Sequence, residues 1–304
     1  MQKVLVIAGP TAVGKTALSI EIAKQFNGEI ISGDSMQVYK GLDIGTAKIT
    51  KEEKEGVAHH LIDIREPWEQ YSAADFQKEG RQCIDAIAAR GHLPIIVGGT
   101  GMYLQTLLYD FKLGGHDVAI SEEKKTELAQ FATTHTKEEV WERLNSQDAV
   151  AAKNIHPNNQ RRVLRALEVV ETTGKPFLQE ETLKPLYDIH IIILNTERSL
   201  LYERINKRVD IMMAQGLLEE ARYALKVGKE HSARGIGYKE FTPYFEQRCT
   251  LEEAVAQVKQ DSRRYAKRQL TWFRNRMDGQ WYDLVQYPSQ KEELMDEIKQ
   301  WMEA

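Results

Sequence analysis

The chain has 304 residues, room for one large domain or two ordinary ones. Hydrophobic residues make up 42% and charged residues 28%, an ordinary balance for a soluble globular protein, and no run of ~18 uncharged apolar residues suggests a membrane span. With 41 Lys and Arg against 45 Asp and Glu the net charge is −4, which on average excludes a bulk polycation. Cys83 and Cys249 stand far apart with no C-x-x-C partner, which points to a reduced, cytoplasmic setting and away from a cysteine zinc site.

The first element is an apolar strand, KVLVIA, that runs straight into a turn and a helix; residues 1–8 read as part of the fold rather than a leader. The turn Gly9-Pro10-Thr11-Ala12-Val13-Gly14-Lys15-Thr16 fits G-x-x-x-x-G-K-[ST]. Its glycines let backbone N–H groups turn inward around phosphate oxygens. The helix beginning near Lys15 adds its positive end, Lys15 adds a point charge, and the Thr16 hydroxyl is suited to Mg²⁺. Such a loop holds a nucleoside triphosphate or some other diphosphate. No apolar run ends in an Asp-Glu pair that would activate water, and NTERS at 195–199 does not match a guanine-reading motif.

EIISG is the second strand, which puts Asp34 and Ser35 just past its carboxyl end, the ligand-binding edge of an open parallel sheet. Asp34 there serves either as Mg²⁺ ligand or general base, or simply caps a turn. His59 and His60 lack further ligands at metal spacing and read as structural. Ser72 and Asp75 have capping-box spacing and start a helix over AADFQKEGRQCIDAIAAR. PIIVGG is the third strand. After it, Gly99 and Gly101 either permit a close backbone approach or merely turn the chain, and the Thr100 hydroxyl offers a hydrogen bond.

From about Gly114 to Lys184 β-branched runs vanish and charged helical stretches take over, with hinges at Gly114-Gly115 and Lys184-Pro185. The expected organisation is a P-loop α/β core, a kinase-like parallel sheet covered by helices, from residues 1–113 and 185–304, with a helical insertion at 114–184. HIIILN returns to strand character, and Thr196 or Ser199 is expected to cap the helix after it. In NQRRVLRALEVVE, helical spacing puts Val163, Leu164, Leu167 and Val170 on one face and points Arg161 and Arg165 away. Ser262–Arg276, SRRYAKRQLTWFRNR, carries six basic residues and no acid. Arginines interleaved with aromatics suit phosphate contact and base stacking, although at least one of Trp272 and Phe273 is expected in the core.

Seven blocks occur in order: GPTAVGKT, SGDSMQVYKGLDIGTAK, HHLIDIREPWEQYSAADF, VGGTGMYL, IHPNNQRRVLRALEV, RGIGYKE and KRQLTWFR. Their order and spacing, from Gly9 to Arg274, resemble the bacterial tRNA dimethylallyltransferases (tRNA isopentenyltransferases). The zinc-finger extension of eukaryotic relatives is absent. The resemblance implies transfer of a dimethylallyl group from its diphosphate to the exocyclic N6 amine of the adenine 3′ of the anticodon, in tRNAs that read codons beginning with U. The partners it implies are dimethylallyl diphosphate, a tRNA anticodon stem-loop and Mg²⁺, with no membrane and no protein partner. It assigns Asp34 as the base, Thr100 near the target amine, and Lys15 and Arg234 to the donor diphosphate. It further implies tRNA contact for Asp34, Ser35, Met36, Gln37 and Thr100, for Gln160, Arg161, Arg162, Val163 and Leu164, and for Lys267, Arg268, Gln269 and Trp272. Lys124 falls loosely near a basic tRNA contact of the family. The alternative from the residues alone is a P-loop small-molecule kinase with Asp34 activating a hydroxyl, which leaves the basic-aromatic helix without a purpose.

Overall fold

The computed structural model describes residues 1–111, 120–177, 183–228 and 232–304. The expected hinge at Gly114-Gly115 lies outside them. Two compact units are present, one of residues 1–110 with 185–304 and one of residues 111–184.

The larger unit is built on a six-stranded, all-parallel sheet. Its strands are β1 (Lys3–Ala8), β2 (Gly28–Ser32), β3 (His59–His60), β4 (Leu93–Gly98), β5 (Asp188–Leu194) and β6 (Gln280–Tyr282), in the order β3-β2-β4-β1-β5-β6. Val4 to Ala8 have no exposed surface. A strand this continuously apolar is covered on both faces, as parallel strands require. From β1 the chain builds β2, β3 and β4 to one side, and only later β5 and β6 to the other. β1 is therefore the switch point of the sheet, where a crevice opens at the carboxyl ends of the strands.

The helices of this unit are α1 (Lys15–Gln25), α2 (Ala73–Ala89), α3 (Gly101–Leu108), then α8 (Arg198–Ala214), α9 (Leu217–Val227), α10 (Thr242–Phe245), α11 (Leu251–Arg276) and α12 (Gln290–Glu303). The capping box expected at Ser72 and Asp75 is formed at the start of α2. α8 departs from expectation. Glu197 is its N-cap, taking the N–H of Ser199 at 2.7 Å and of Leu200 at 3.2 Å. Thr196 is one residue too early for that role and Ser199 lies inside the helix, where an unsatisfied first-turn amide meets the longer carboxylate arm first.

The smaller unit contains α4 (Glu122–Thr134), α5 (Lys137–Gln147), α6 (Ala149–Asn154) and α7 (Gln160–Thr173). Its own core holds Leu128, Val140, Leu144, Ile155, Val163 and Leu167. Glu171 is the electrostatic centre of this unit. Arg143 grips it with Nε and Nη2 at 2.7 Å each, Lys124 reaches it at 2.6 Å, and Gln147 adds a bond at 3.0 Å. Burial alone would raise the Glu171 pKa, but these partners hold it down to about 2.

Among the described residues, no helix is long and apolar enough to cross a membrane.

Candidate active site

The crevice at the switch point is a cavity of about 290 Å³ within the larger unit. The loop after β1 forms one side. Gly9 has φ +148°, and a Cβ there would lie 2.6 Å from the Leu194 carbonyl at the end of β5. Only glycine lets the loop pass so close to the neighbouring strand. Gly14 caps α1 with φ +111°, and Ala12 also takes a positive φ, +65°. The Nε of Arg204 donates to the Ala12 carbonyl at 2.9 Å, which secures that strained residue from α8. Thr11, Lys15 and Thr16 line the cavity.

Lys15 Nζ donates to the carbonyls of Gly9, at 2.9 Å, and Pro10, at 2.7 Å. The ammonium folds back on its own loop. Its pKa is lowered to about 7, first by burial and then by the Arg208 cation, with Asp34 opposing. Asp34, one residue past Gly33 at the end of β2, lies in the same cavity. Its Oδ1 accepts the Met36 N–H at 2.8 Å. Burial pushes the Asp34 pKa up, while the Met36 amide and the Lys15 charge pull it back. Arg208 from α8 is the third charge on the cavity wall. Burial lowers its pKa, and its strongest opposing influence is Asp34.

Arg208 was not foreseen from the sequence. It sits in the helix pattern RSLLYERINKRVDIMMA, seven residues after Leu201 and three after Ile205, at the border of the apolar stripe, where a single arginine carries no signal of its own. Only the direction in which α8 crosses the crevice turns it inward. Arg234, the expected phosphate clamp, is exposed and is not among the cavity-lining residues; Ile236, Gly237 and Tyr238 of the same segment are. Arg208 is thus an arginine of the cavity wall that the sequence reading lacked. His59, read as structural, also lines the cavity. Its Nδ1 faces the Val57 carbonyl at 2.9 Å and burial pushes its pKa down, so it presents a neutral ring. His60 does fill a structural role, 2.6 Å from the Glu29 carboxylate.

The cavity wall opposite the phosphate loop is assembled by Glu220 of α9. Its Oε2 accepts the N–H groups of Asp43 and Ile44, each at 2.8 Å, and its Oε1 accepts the Gly45 N–H and the Tyr238 hydroxyl, each at 2.8 Å. A carboxylate in a nest of three consecutive amides fixes that turn strongly. Gly45, Thr46 and Ala47 thereby line the cavity, and Gln37 donates to the Thr46 carbonyl at 3.2 Å. Met36 and Ser35 complete this side.

At the end of β4, Gly99 and Gly101 are close-approach glycines rather than simple turn residues. A Cβ on Gly99 would meet the Gln269 amide at 2.0 Å, and one on Gly101 would meet the Trp272 ring at 2.1 Å. Between them, the Thr100 hydroxyl is buried with no hydrogen-bond partner among the described residues, as is the Trp272 indole N–H. Buried unpaired donors are uncommon and call for a partner. Tyr265, one turn before Gln269, faces Thr100, and its phenol is pushed up to about 12, first by burial and next by the Asp34 charge.

The remaining expected RNA contacts divide by exposure. Lys267 and Arg268 are exposed on α11, with Arg268 over the Tyr265 ring at 5.6 Å. Phe273 is fully buried and Trp272 partly so. In the smaller unit Arg161 and Arg162 are exposed, Gln160 is half-buried and Leu164 is packed against the core. Val163 is wholly buried in that core, because its position on the apolar face of α7 outweighs its place in a basic motif. Gln269 is 6% exposed and spends its amide on protein groups. Val163 is closed off by that core, whereas Gln269 lines the cavity. Lys124 is engaged by Glu127 and Glu171.

The model of the IPP transferase family matches residues 37–276, most of the chain. The chain belongs to the IPP transferase family. It is 58% identical to the tRNA dimethylallyltransferase of Enterococcus faecalis over 305 residues, covering 100% of this chain and 98% of that protein. Among solved structures it is similar to the full-length tRNA isopentenylpyrophosphate transferase of Bacillus halodurans, with 46% identity, a TM-score of 0.75, and 100% and 97% of the two chains covered. It is similar also to a eukaryotic dimethylallyltransferase acting on tRNA, with 35% identity, a TM-score of 0.78, and 90% and 70% covered. The family span begins at Gln37, after the phosphate loop and Asp34, whereas the full-length relatives extend over both.

Proposed function

We propose that this protein is a cytoplasmic tRNA dimethylallyltransferase. It moves a dimethylallyl group from dimethylallyl diphosphate to the N6 amine of the adenine 3′ of the anticodon, in tRNAs reading codons that begin with U, and releases diphosphate. The observation that carries this reading is the meeting of Lys15, Arg208 and Asp34 in one cavity, whose wall also includes Gly99, the residue before Thr100. The names of the relatives support tRNA as acceptor and dimethylallyl as the group transferred.

The chemistry follows from charge. Breaking an allylic C–O bond builds negative charge on the departing diphosphate, and cations placed there stabilise the transition state. Lys15, Arg208 and the loop amides fill that role. Bound diphosphate draws Lys15 away from the Gly9 and Pro10 carbonyls and restores its full charge. The adenine amine is a weak nucleophile, since its lone pair is delocalised into the ring. Asp34 takes its proton as the new C–N bond forms, and a carboxylate whose pKa is raised is the better base for this near neutral pH. Thr100 hydrogen-bonds beside the target amine. A base inside a stem-loop must leave the stack to reach such a pocket, and the exposed cations of α11 suit the phosphates around it.

Mg²⁺ fits this site. The Thr16 hydroxyl and the Asp34 carboxylate, two oxygen donors of the kind this ion takes, line the same cavity beside Lys15. Mg²⁺ commonly takes one or two protein oxygens and completes its shell with phosphate and water. Thr16 would hold it, with Asp34 across the cavity reaching it through water. When bound it neutralises charge on the diphosphate.

The test is a labelling assay with radiolabelled dimethylallyl diphosphate, Mg²⁺ and unmodified tRNA. Label is expected in the tRNA, while ATP with a small alcohol gives no phosphoryl transfer. In Asp34→Asn, donor KM should stay nearly constant while turnover falls by roughly 10²–10⁴. Preferential labelling of free AMP would overturn the tRNA assignment.

A further inference from the structure

We propose that Gln269 is a positioning residue that sets the distance between the leaving diphosphate and the accepting amine, so that its loss diverts the dimethylallyl group from tRNA to water. This rests on the transferase reading above.

Gln269 joins the two halves of the site. Its Oε1 accepts the N–H of Thr11, within the phosphate loop, at 3.1 Å. Its Nε2 donates to the carbonyl of Gly99, in the turn that carries Thr100, at 2.9 Å. The two partners belong to different strand ends, after β1 and β4, which are neighbours in the sheet. The fit is tight on both sides. A Cβ on Gly99 would lie 2.0 Å from the Gln269 amide nitrogen and 3.2 Å from the Gly9 carbonyl. The side chain is 6% exposed, so neither bond competes freely with water.

The amide is matched to this place. One end must accept and the other donate, which among side chains of this length glutamine does without charge. Its helix neighbours Tyr265 and Trp272, four residues before and three after, lie on the same side of α11 and meet the Thr100–Gly101 turn. Gln269 hydrogen-bonds both the donor loop and the acceptor turn.

Transfer requires the amine nitrogen close to the allylic carbon and in line with the departing oxygen, and a misplacement of about 1 Å costs on the order of 10²-fold in rate. Water does not depend on the acceptor turn. If the turn drifts, the C–O bond still breaks to give diphosphate, the new bond to carbon forms from a water oxygen, and that water loses its proton to Asp34 or solvent. The product is dimethylallyl alcohol.

The experiment measures labelled tRNA and labelled alcohol together in the full-length protein and in Gln269→Leu, which keeps the bulk and removes both bonds. The expected result is a transfer kcat lower by about 30- to 100-fold, donor KM within about threefold, and an alcohol-to-tRNA product ratio higher by at least about tenfold. Gln269→Glu keeps an acceptor for Thr11 and places an oxygen against the Gly99 carbonyl; it carries the test should the leucine variant not fold, and the same rise in product ratio is expected. An unchanged ratio overturns the proposal, whether the loss falls on kcat or on donor KM. A raised tRNA KM with unchanged kcat overturns it in favour of an RNA contact. Failure of the underlying reading is separate: it would show as no tRNA label from the unmodified protein.

Discussion

Lys15 and Asp34 face one cavity and oppose each other's displacement: burial drives the lysine pKa down and the carboxylate pKa up, and each charge pulls the other back toward its ordinary range. A substrate bearing a diphosphate enters a site that already holds a part-neutral cation.

The pH dependence of kcat/KM follows from the directions. Asp34 must be ionised to accept a proton, and its pKa is raised, so activity climbs with pH above the usual carboxylate range. Lys15 must be charged to bind diphosphate, and its free-state pKa of about 7 makes activity fall as pH rises beyond that value. The profile should be bell-shaped, with the alkaline limb in kcat/KM for the donor and weakened in kcat, because bound diphosphate restores the Lys15 pKa. Calorimetry at about pH 8, in buffers of different ionisation enthalpy, should register proton uptake on donor binding. A flat kcat/KM from pH 6.5 to about 9 would contradict this account.

Two arginines separate the sequence expectation from the fold. Arg208→Ala should lower kcat/KM for the donor by about 1.5–3 kcal/mol, roughly ten- to hundredfold, as expected for a lost charge-assisted contact. Arg234→Ala should leave donor kinetics within about threefold, since that residue does not line the cavity. Steady-state kinetics with varied donor at saturating tRNA distinguishes them, and the reverse ranking would return the clamp to Arg234.

The contrast shows what the sequence made legible. The phosphate loop, the strand end carrying Asp34 and the turn carrying Thr100 were all readable, because each is a local pattern of strand, glycine and helix. Arg208, His59 and Glu220 were not. Each acts across long sequence separations: Glu220 bonds to Gly45, 175 residues away. Nothing in a helical repeat says which residue of its polar face will meet another loop. Gln269 was readable as a member of a motif but not as a buried bridge, because its two partners, Gly99 and Thr11, lie 170 and 258 residues earlier.

The smaller unit makes its own prediction. Glu171 is 9% exposed in its side chain and shared by Arg143 and Lys124. Glu171→Gln leaves Arg143 and Lys124 with only the more exposed Glu127 and should destabilise this unit by about 1–3 kcal/mol. The folded-state pKa of about 2 lies below the ordinary value of 4.5, so the stabilisation is complete above about pH 4.5 and is lost as pH falls toward 2. Urea unfolding of the unmodified chain should weaken across that window, and the Gln variant should weaken less steeply. Equal acid sensitivity in both would show that Glu171 is not its source.

The Glu220 nest bears on how the enzyme is made. The phosphate loop leaves the ribosome within the first 16 residues and its carboxylate partner by residue 34, yet the turn at 43–45 has no anchor until α9 is translated. At about 5–20 residues per second, some ten to forty seconds separate the two. A nascent chain thus carries Lys15 and Asp34 long before it owns the chamber they face, and premature termination before residue 220 leaves the phosphate loop without the wall that Glu220 holds.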